Sequence, residues 1–337
     1  MKTIASSLLR TLPAVAAAII VAALALSSRL SGKDRAGEYG AEFLSMGTVG
    51  SVRFTCCEGP EAMRRAEGGA EIVRAAFAEV ESAASVFRGD SPIARLNREG
   101  TVTLPPPADG GFDLAAVVRA ALDAARESDG AFDPTVNPLM RLWGFRKDTV
   151  ETAMPSDEAL HAALGKVGWR EVRLETLADG ATKISFARAG MELDLGGIAK
   201  GAAVDFAFER LRAAGYADFV VNLGGNIRVS GRPHPRRATW HVAVRDPGNP
   251  SRTVDGALEL ADGEAVATSG SYERFVEIGG RRYSHIIDPR TGMPVARGGS
   301  VSVVAPSAMR ADAWSTAFFV QGKSAGGGAH CIRLQSL

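Results

Sequence analysis

The chain has 337 residues, of which 46% are hydrophobic and 23% charged, an ordinary globular composition with enough apolar side chains for a full core. The formal net charge of +1 gives no reason to expect nucleic acid or an acidic polymer as a partner. The three cysteines, Cys56, Cys57 and Cys331, lack the spacing of a zinc site and do not form an even-numbered disulfide framework.

The N-terminal segment has the pattern of an export signal. Lys2 and Arg10 precede an apolar run from Leu12 to Leu26, and Ala23-Leu24-Ala25 matches a small-residue cleavage site. The run is near the lower length limit for spanning a bilayer, so an uncleaved membrane anchor is the alternative. Residues 1–40 are therefore predicted to be a signal peptide or an N-terminal membrane anchor plus a linker. The domain is expected in the periplasm, either free or anchored to the inner membrane.

A β-rich segment and three helical patterns follow. Residues 42–55 alternate and predict a strand, with Met46-Gly47-Thr48 inside or beside it. Apolar residues at helical spacing predict a helix over residues 61–87. Asp113 and Ser156 are of the type that begins a helix, and we expect a second and a third helix to start there.

After Trp169 the sequence changes to short β-branched segments separated by Gly, Asp, Asn and Pro. One helix interrupts them, over about residues 198–214, with Gly215 as its C-terminal glycine, and a last helix begins near Met309. The predicted strands cover residues 172–174, 183–186, 219–222, 227–230, 240–244, 257–260, 265–268, 275–278, 283–287 and 301–304.

Helices followed mostly by strands predict an α+β fold with a largely antiparallel sheet and flanking helices. The domain is predicted to span residues 41–321, and the glycine-rich residues 322–337 are predicted to be a disordered tail.

Four segments carry residues that could take part in chemistry, and the first two are residues 130–138 and 192–201. Residues 130–138 contain Asp-Pro and Asn-Pro, which favour turns and would present backbone groups and one carboxylate to a ligand. Residues 192–201 pass from Asp194 through two glycines into a helix that carries Lys200. The free N–H groups of a helix start favour anions such as phosphate. The alternatives are a rigid loop without a ligand for residues 130–138 and an ordinary strand-to-helix turn for residues 192–201.

The other two segments lie near the C-terminus. Residues 283–292 bring His285, Asp288, an arginine and a threonine into one turn, where the histidine would serve as an acid, a base or a phosphate ligand. In the last helix, Asp312 and Thr316 are four residues apart and lie on one face, as hard oxygen ligands for Mg²⁺. The alternative for residues 283–292 is a histidine whose hydrogen bonds are satisfied within a hairpin. The alternative for the last helix is that Asp312 and Thr316 cap it and lie on a solvated face.

In this order the segments resemble the ApbE family, the FAD:protein FMN transferases. The resemblance covers about residues 46–320 and rests on these strings: Met46-Gly47-Thr48, GAFDPTVNPL, LDLGGIAKGAAVD, NLGGNI, Asp246-Pro247, ATSGSYERF, YSHIIDPRTGMPV and ADAWSTA. It implies an ApbE-type fold and a Mg²⁺-dependent enzyme that cleaves FAD. FMN would pass in phosphoester linkage to a Thr or Ser of an acceptor flavoprotein subunit of a membrane electron-transfer complex, with release of AMP.

The resemblance also implies roles for individual residues. The metal would be held by the side chains of Asp312 and Thr316 and by the backbone carbonyl of Gly197. His285 and Asp288 are the candidates for proton transfer near the phosphate. The implied FAD contacts are Met46, Ala131, Phe132, Asp133, Asp194, Lys200 and Ile286.

Two other functions are compatible with the same residues. One is a periplasmic FAD pyrophosphatase, with water as the acceptor. The other is a non-catalytic flavin-binding or assembly protein for a membrane redox complex. The sequence also departs from the family after Val320, where the closing strand is expected to be missing and the helix that carries Asp312 to be weakened.

Overall fold

The computed structural model describes residues 37–57, 59–146, 153–272, 274–323 and 329–334. The predicted signal or anchor lies outside these residues, except for the last four positions of its linker. No helix in the described ranges has the length and apolarity needed to cross a membrane.

The described residues form a mixed α and β fold. The helices are α1 Gly59–Ala84, α2 Pro92–Glu99, α3 Leu114–Glu127, α4 Asn137–Leu142, α5 Asp157–Leu164, α6 Ala199–Ala213 and α7 Ala308–Val320. The strands are β1 Gly37–Ser45, β2 Thr48–Cys57, β3 Thr101–Leu104, β4 Val172–Thr176, β5 Thr182–Phe186, β6 Phe219–Leu223, β7 Asn226–Ser230, β8 Trp240–Asp246, β9 Asn249–Leu260, β10 Ala265–Gly270, β11 Phe275–Ile278, β12 Arg281–Ser284, β13 Ser300–Ala305 and β14 Ala329–Arg333.

A seven-stranded sheet in the order β1-β2-β6-β7-β10-β13-β14 is the largest sheet. All its neighbouring strands are antiparallel except β13 and β14, which are parallel. A three-stranded sheet, β3-β5-β4, and two ribbons, β8-β9 and β11-β12, complete the described strands. The predicted α+β class and the largely antiparallel sheet are confirmed.

The main sheet has a different apolar layer on each face, as alternating side chains require. On one face Phe54 and Phe219 pack in the main core with Phe77 of α1 and Phe208 of α6. On the other face, Val304 packs with residues of the β8-β9 ribbon. The helices that carry the candidate site therefore lie on one side of the sheet.

The first predicted strand is a hairpin. The chain reverses at Met46 and Gly47, whose φ angles are 50° and 70°, and Ser45 pairs with Thr48. Two successive residues with positive φ make the tight turn whose twist matches that of paired strands. The single strand predicted over residues 42–55 is wrong, because this turn divides it into β1 and β2.

The predicted helix starts are confirmed by side-chain caps. The Asp113 carboxylate accepts the N–H of Ala116 at 2.9 Å, and the Ser156 hydroxyl accepts the N–H of Ala159 at 3.2 Å. Each cap satisfies a donor that has no partner inside its helix.

The C-terminal prediction does not hold for residues 329–333. These residues form β14, which pairs with β13 from Ser300↔Ala329 to Val304↔Arg333. Pairing satisfies the backbone groups along the edge of β13. Ile332 packs against the main core, and the Arg333 guanidinium donates to the carbonyl of Glu259 at 2.6 Å. A closing strand is therefore present, contrary to the expectation from the sequence.

Helices α6 and α7 touch backbone to backbone. A Cβ at Gly201 would lie 2.3 Å from the carbonyl oxygen of Ala308. The Asp205 carboxylate of α6 accepts the N–H groups of Ala308 and Met309 at 2.8 Å each, and it pairs with Arg228 at 3.1 Å. Asp205 thus caps α7 from a neighbouring helix and determines where α7 begins relative to α6.

We expect Asp205→Asn to lower the free energy of unfolding by about 2 kcal/mol, because the buried charge pair with Arg228 and one backbone acceptor are lost. Urea denaturation measures the change. Asp113→Asn is the matched control, since Asn and Asp cap exposed helix starts about equally well. Equal effects of the two substitutions would contradict the capping role assigned to Asp205.

Candidate active site

The turn that precedes α6 is held to the 130–138 loop. The Asp194 carboxylate accepts the N–H of Gly196 at 2.7 Å, and the N–H of Asp194 donates to the carbonyl of Pro134 at 2.7 Å. The side chain of Arg146 pairs with the other carboxylate oxygen of Asp194. The two sequence segments, about sixty residues apart in the chain, therefore form one surface.

Asp133 organises the 130–138 loop from inside. One carboxylate oxygen accepts the N–H and the hydroxyl of Thr135 at 2.8 and 2.6 Å, and the other accepts the N–H of Trp169 at 3.2 Å. Burial raises the pKa of this carboxyl, and the hydrogen bonds from Thr135 oppose the shift. Ala131 and Phe132 are buried beside it. Because both carboxylate oxygens are occupied, this loop offers mainly backbone and ring contacts to a ligand.

The start of α6 and the middle of α7 meet at Asp312. One oxygen of this buried carboxylate accepts the N–H of Gly201 at 3.0 Å, and the other lies 3.7 Å from Nζ of Lys200. Burial raises the pKa of Asp312, whereas the nearby Lys200 lowers it. A Cβ built at Gly197 would lie 3.6 Å from the hydroxyl of Thr316. Gly197, Lys200, Asp312 and Thr316 are therefore brought together, as predicted.

These residues fit a hard divalent cation. Because the N–H of Gly201 donates to Asp312, the carbonyl of Gly197 receives no hydrogen bond from any described residue. Together with Asp312 and Thr316 it supplies oxygen donors, which Mg²⁺ prefers beside phosphate and water. Within the described ranges, no three His, Cys, Asp or Glu side chains gather as a metal cluster.

His285 has a defined tautomer. Its Nδ1 lies 3.1 Å from the carbonyl oxygen of Arg274, which only accepts, so Nδ1 carries the proton and Nε2 has a free lone pair. Burial lowers the pKa of His285 to about 4; the hydrogen bond to Arg274 opposes this, and the charges of Arg274, Lys200 and Arg146 add to it. The ring is therefore neutral at neutral pH with Nε2 unprotonated, and it is a weaker base than an ordinary imidazole.

Asp288 and Ile286 are engaged within their own turn. Both carboxylate oxygens of Asp288 accept from the guanidinium of Arg290, at 2.9 and 2.8 Å. The N–H of Ile286 donates to the hydroxyl of Ser284 at 3.1 Å, and its carbonyl accepts the N–H of Val295 at 2.8 Å. The structure gives Asp288 a turn-forming part, and its predicted role in proton transfer stays a prediction.

Met46 lies in the β1-β2 turn. Its N–H donates to the Glu81 carboxylate of α1 at 3.1 Å, and its partly buried side chain packs against the main core. The described contacts of Met46 are with α1 and the core, and its predicted contact with FAD stays a prediction.

Four residues that border this site were given no role in the sequence analysis: Phe87, Arg146, Ser269 and Arg274. Arg146, which pairs with Asp194, also donates to Asn137 at 3.1 Å and lies 5.2 Å from the ring of Phe87. Burial lowers the pKa of Arg146 to about 10, and Arg274 and Arg141 contribute. Phe87 itself is 68% exposed.

The hydroxyl of Ser269 lies 3.1 Å from that of Thr316. Ser269 and Arg274 belong to the ATSGSYERF string, which was a signal for them. No sequence pattern pointed to Phe87 or Arg146.

Comparisons with known proteins show which family the chain is similar to. The family model described as the ApbE family matches residues 46–330. A FAD:protein FMN transferase of Treponema pallidum is 35% identical over 314 residues, covering 90% of this chain and 84% of that protein. A FAD:protein FMN transferase of Haemophilus influenzae is 31% identical over 315 residues, covering 92% of this chain and 86% of that protein.

A third relative, the FAD:protein FMN transferase of Rhodobacter capsulatus, is 41% identical over 210 residues. The match covers 62% of this chain but only 39% of that longer protein, so the chain spans well under half of its length.

Solved structures show the same fold. The ApbE protein of Thermotoga maritima superimposes with a TM-score of 0.72 at 31% identity, covering 85% of this chain and 87% of that one. The flavin transferase ApbE of Vibrio cholerae superimposes with a TM-score of 0.70 at 30% identity, covering 85% of this chain and 87% of that one. Because the family model matches most of the chain and these relatives and structures are similar over most of its length, the chain belongs to the ApbE family and is a transferase.

Proposed function

We propose that the chain is a Mg²⁺-dependent FAD:protein FMN transferase, which attaches FMN by a phosphoester bond to a Thr or Ser of an acceptor flavoprotein and releases AMP. The observation that carries the proposal is the meeting of α6 and α7, where Gly197, Lys200, Asp312 and Thr316 lie together. The FAD:protein FMN transferases among its relatives support the choice of substrates.

The proposed step is a displacement at phosphorus. The acceptor hydroxyl oxygen bonds to the phosphorus on the riboflavin side of FAD. The bond from that phosphorus to the bridging oxygen breaks, and the bridging oxygen leaves with AMP. The hydroxyl proton passes to Nε2 of His285. When bound, Mg²⁺ would neutralise charge on the diphosphate.

The chain's own groups position the reactants. Lys200 Nζ, which donates to the carbonyl of Gly196 at 3.1 Å, places a positive charge at the start of α6, where free N–H groups also favour phosphate. Phe132 lies against Gly197, since a Cβ there would be 3.0 Å from its ring. The buried loop behind this ring keeps the turn in place through the hydrogen bond from Asp194 to Pro134.

The decisive experiment mixes the full chain with FAD and a candidate acceptor domain, in Mg²⁺ or in EDTA. In-gel flavin fluorescence detects labelled acceptor, and chromatography detects AMP. We expect both products in Mg²⁺ and neither in EDTA. AMP without labelled acceptor would indicate the pyrophosphatase, and no metal-dependent AMP would indicate a binding or assembly protein.

We expect transfer to persist as the pH falls from 7 to 5 and to be lost near pH 4, because the pKa of His285 is lowered to about 4. Below that pH Nε2 is protonated and cannot accept the hydroxyl proton. His285→Asn keeps a donor toward the carbonyl of Arg274 but lacks Nε2, and should slow transfer about 10²–10⁴-fold while FAD still binds. Initial rates against pH measure this, and an acid limb near pH 6.5 would contradict it.

We further propose that the protein works in the periplasm, free or anchored to the inner membrane, and that its acceptor belongs to a membrane electron-transfer complex. The export pattern of residues 1–40 supports this location. Cell fractionation followed by immunoblotting tests it, and a protein found wholly in the cytoplasmic fraction would contradict it.

A further inference from the structure

The β11-β12 ribbon places Arg274 beside His285. Phe275 pairs with Ser284, so the next pair outward is Arg274 and His285. The backbone N–H and the Nδ1 of His285 both lie 3.1 Å from the carbonyl oxygen of Arg274. Residues paired directly across two antiparallel strands project from the same face of the ribbon. The guanidinium of Arg274 is therefore presented on the face that carries the imidazole.

Three positive charges act on that imidazole, and two of them have partners. Arg146 pairs with the carboxylate of Asp194, and Lys200 lies 3.7 Å from that of Asp312. Arg274 is exposed, and it forms no ion pair with any carboxylate that the structure describes. Arg274 also acts electrostatically on Arg146.

A cation among other cations is repelled by its neighbours unless an anion joins them. The arrangement at Arg274 therefore has room for one more negative group, and it lies on the side of the site that carries the proton acceptor. A guanidinium is well suited to such a group when it is phosphate, because its planar fork of donors can bind two phosphate oxygens at once.

We propose that Arg274 is a substrate-binding residue whose guanidinium binds a phosphate of the dinucleotide's diphosphate next to His285. The inference rests on the proposed function for the identity of the dinucleotide. The backbone of Arg274 orients the imidazole and its side chain holds the phosphate. One residue therefore sets the distance between the proton acceptor and the group that reacts.

The test compares Arg274→Gln and Arg274→Lys with Arg282→Gln in the full chain. Arg282 is the matched control, because it is an exposed arginine of the same ribbon that pairs opposite Glu277 and lies 4.4 Å from the ring of Phe275. Alternation along the strand puts it on the face opposite to His285. Affinities for FAD, AMP, FMN and riboflavin are measured by fluorescence quenching or calorimetry.

We expect Arg274→Gln to weaken FAD binding about 10–100-fold, as the loss of a charge-assisted hydrogen bond does, and to leave riboflavin binding unchanged. The affinity of Arg274→Lys for FAD should lie between that of Arg274→Gln and that of the unaltered chain. The affinity of Arg282→Gln should equal that of the unaltered chain. A loss of affinity for AMP would place Arg274 at the adenylate phosphate, and a loss for FMN at the other one. Equal losses for FAD and riboflavin, or no loss for FAD, would overturn the proposal.

A second readout separates phosphate binding from a merely structural role. Removing the charge of Arg274 should raise the pKa of His285, which NMR follows directly, with the signal assigned by its absence in His285→Asn. An unchanged titration would contradict the side-chain placement. These binding and titration measurements need no acceptor protein. If they hold while the unaltered chain labels no acceptor, the proposed function fails and the phosphate-binding role stands.

Discussion

Asp312→Asn is expected to abolish FMN transfer in a chain that remains folded. The amide keeps an acceptor for the N–H of Gly201, now 3.0 Å from the carboxylate, but it lacks the charge that holds a divalent cation. We expect transfer to fall by at least about 10²–10³-fold, as when a group that stabilises transition-state charge is removed. Mg²⁺ titrations of the transfer rate measure the effect.

The neighbouring hydroxyls of α7 provide a matched control. Thr316→Val removes a predicted metal donor and should also slow transfer. Ser315→Ala removes a buried hydroxyl that bonds to the carbonyl of Asp312 at 2.9 Å and to Ser269 at 2.8 Å, and transfer should change little. Near-normal transfer by Asp312→Asn at ordinary Mg²⁺ concentrations would refute the metal assignment.

Gly201→Ala is expected to have the largest effect on stability. A Cβ at this position would lie 2.3 Å from the carbonyl oxygen and 2.6 Å from the carbonyl carbon of Ala308. Both are backbone atoms, so α6 and α7 would have to separate. Overpacking against backbone should cost about 3 kcal/mol, the upper end of the usual range, which for a domain of this size lowers Tm by about 6–12 °C. Thermal and urea denaturation measure the loss.

Gly68→Ala in α1 is the matched control for this substitution. Gly68 is an exposed helical glycine, and its added Cβ would be 3.6 Å from the hydroxyl of Tyr216, an ordinary contact. Alanine should therefore stabilise the helix by about 0.5–1 kcal/mol. If Gly201→Ala were as well tolerated as Gly68→Ala, the close contact between α6 and α7 would be wrong.

Because the same contact brings Lys200 to Asp312, Gly201→Ala should also slow FMN transfer. The transfer rate should fall by more than the fraction of unfolded protein explains. A variant that is destabilised but fully active per folded molecule would show that the two helices can separate without disturbing the site.

Local sequence patterns predicted most of the strands and the starts of two helices. Asp113 and Ser156 were assigned as helix caps because capping depends on a side chain and a backbone group three residues away. Most strands were found for a similar reason, since apolar alternation is a property of neighbouring residues. The predicted set of site residues depended on eight strings in a fixed order, and the structure brings several of them together.

Where chemistry depends on distant residues, the local pattern was silent or misleading. It predicted a disordered tail over residues 322–337, whereas Ala329–Arg333 pairs with the edge of β13.

The sequence by itself thus determined the fold class, most of the strands and the residue types available for chemistry. Only the tertiary structure decided that the Gly201 N–H turns to Asp312 and leaves the Gly197 carbonyl free, and that Nδ1 of His285 is the ring nitrogen bonded to the carbonyl of Arg274. The reason is physical: hydrogen bonds between residues 111 positions apart and the desolvation of a ring arise from packing, which no short stretch of sequence contains.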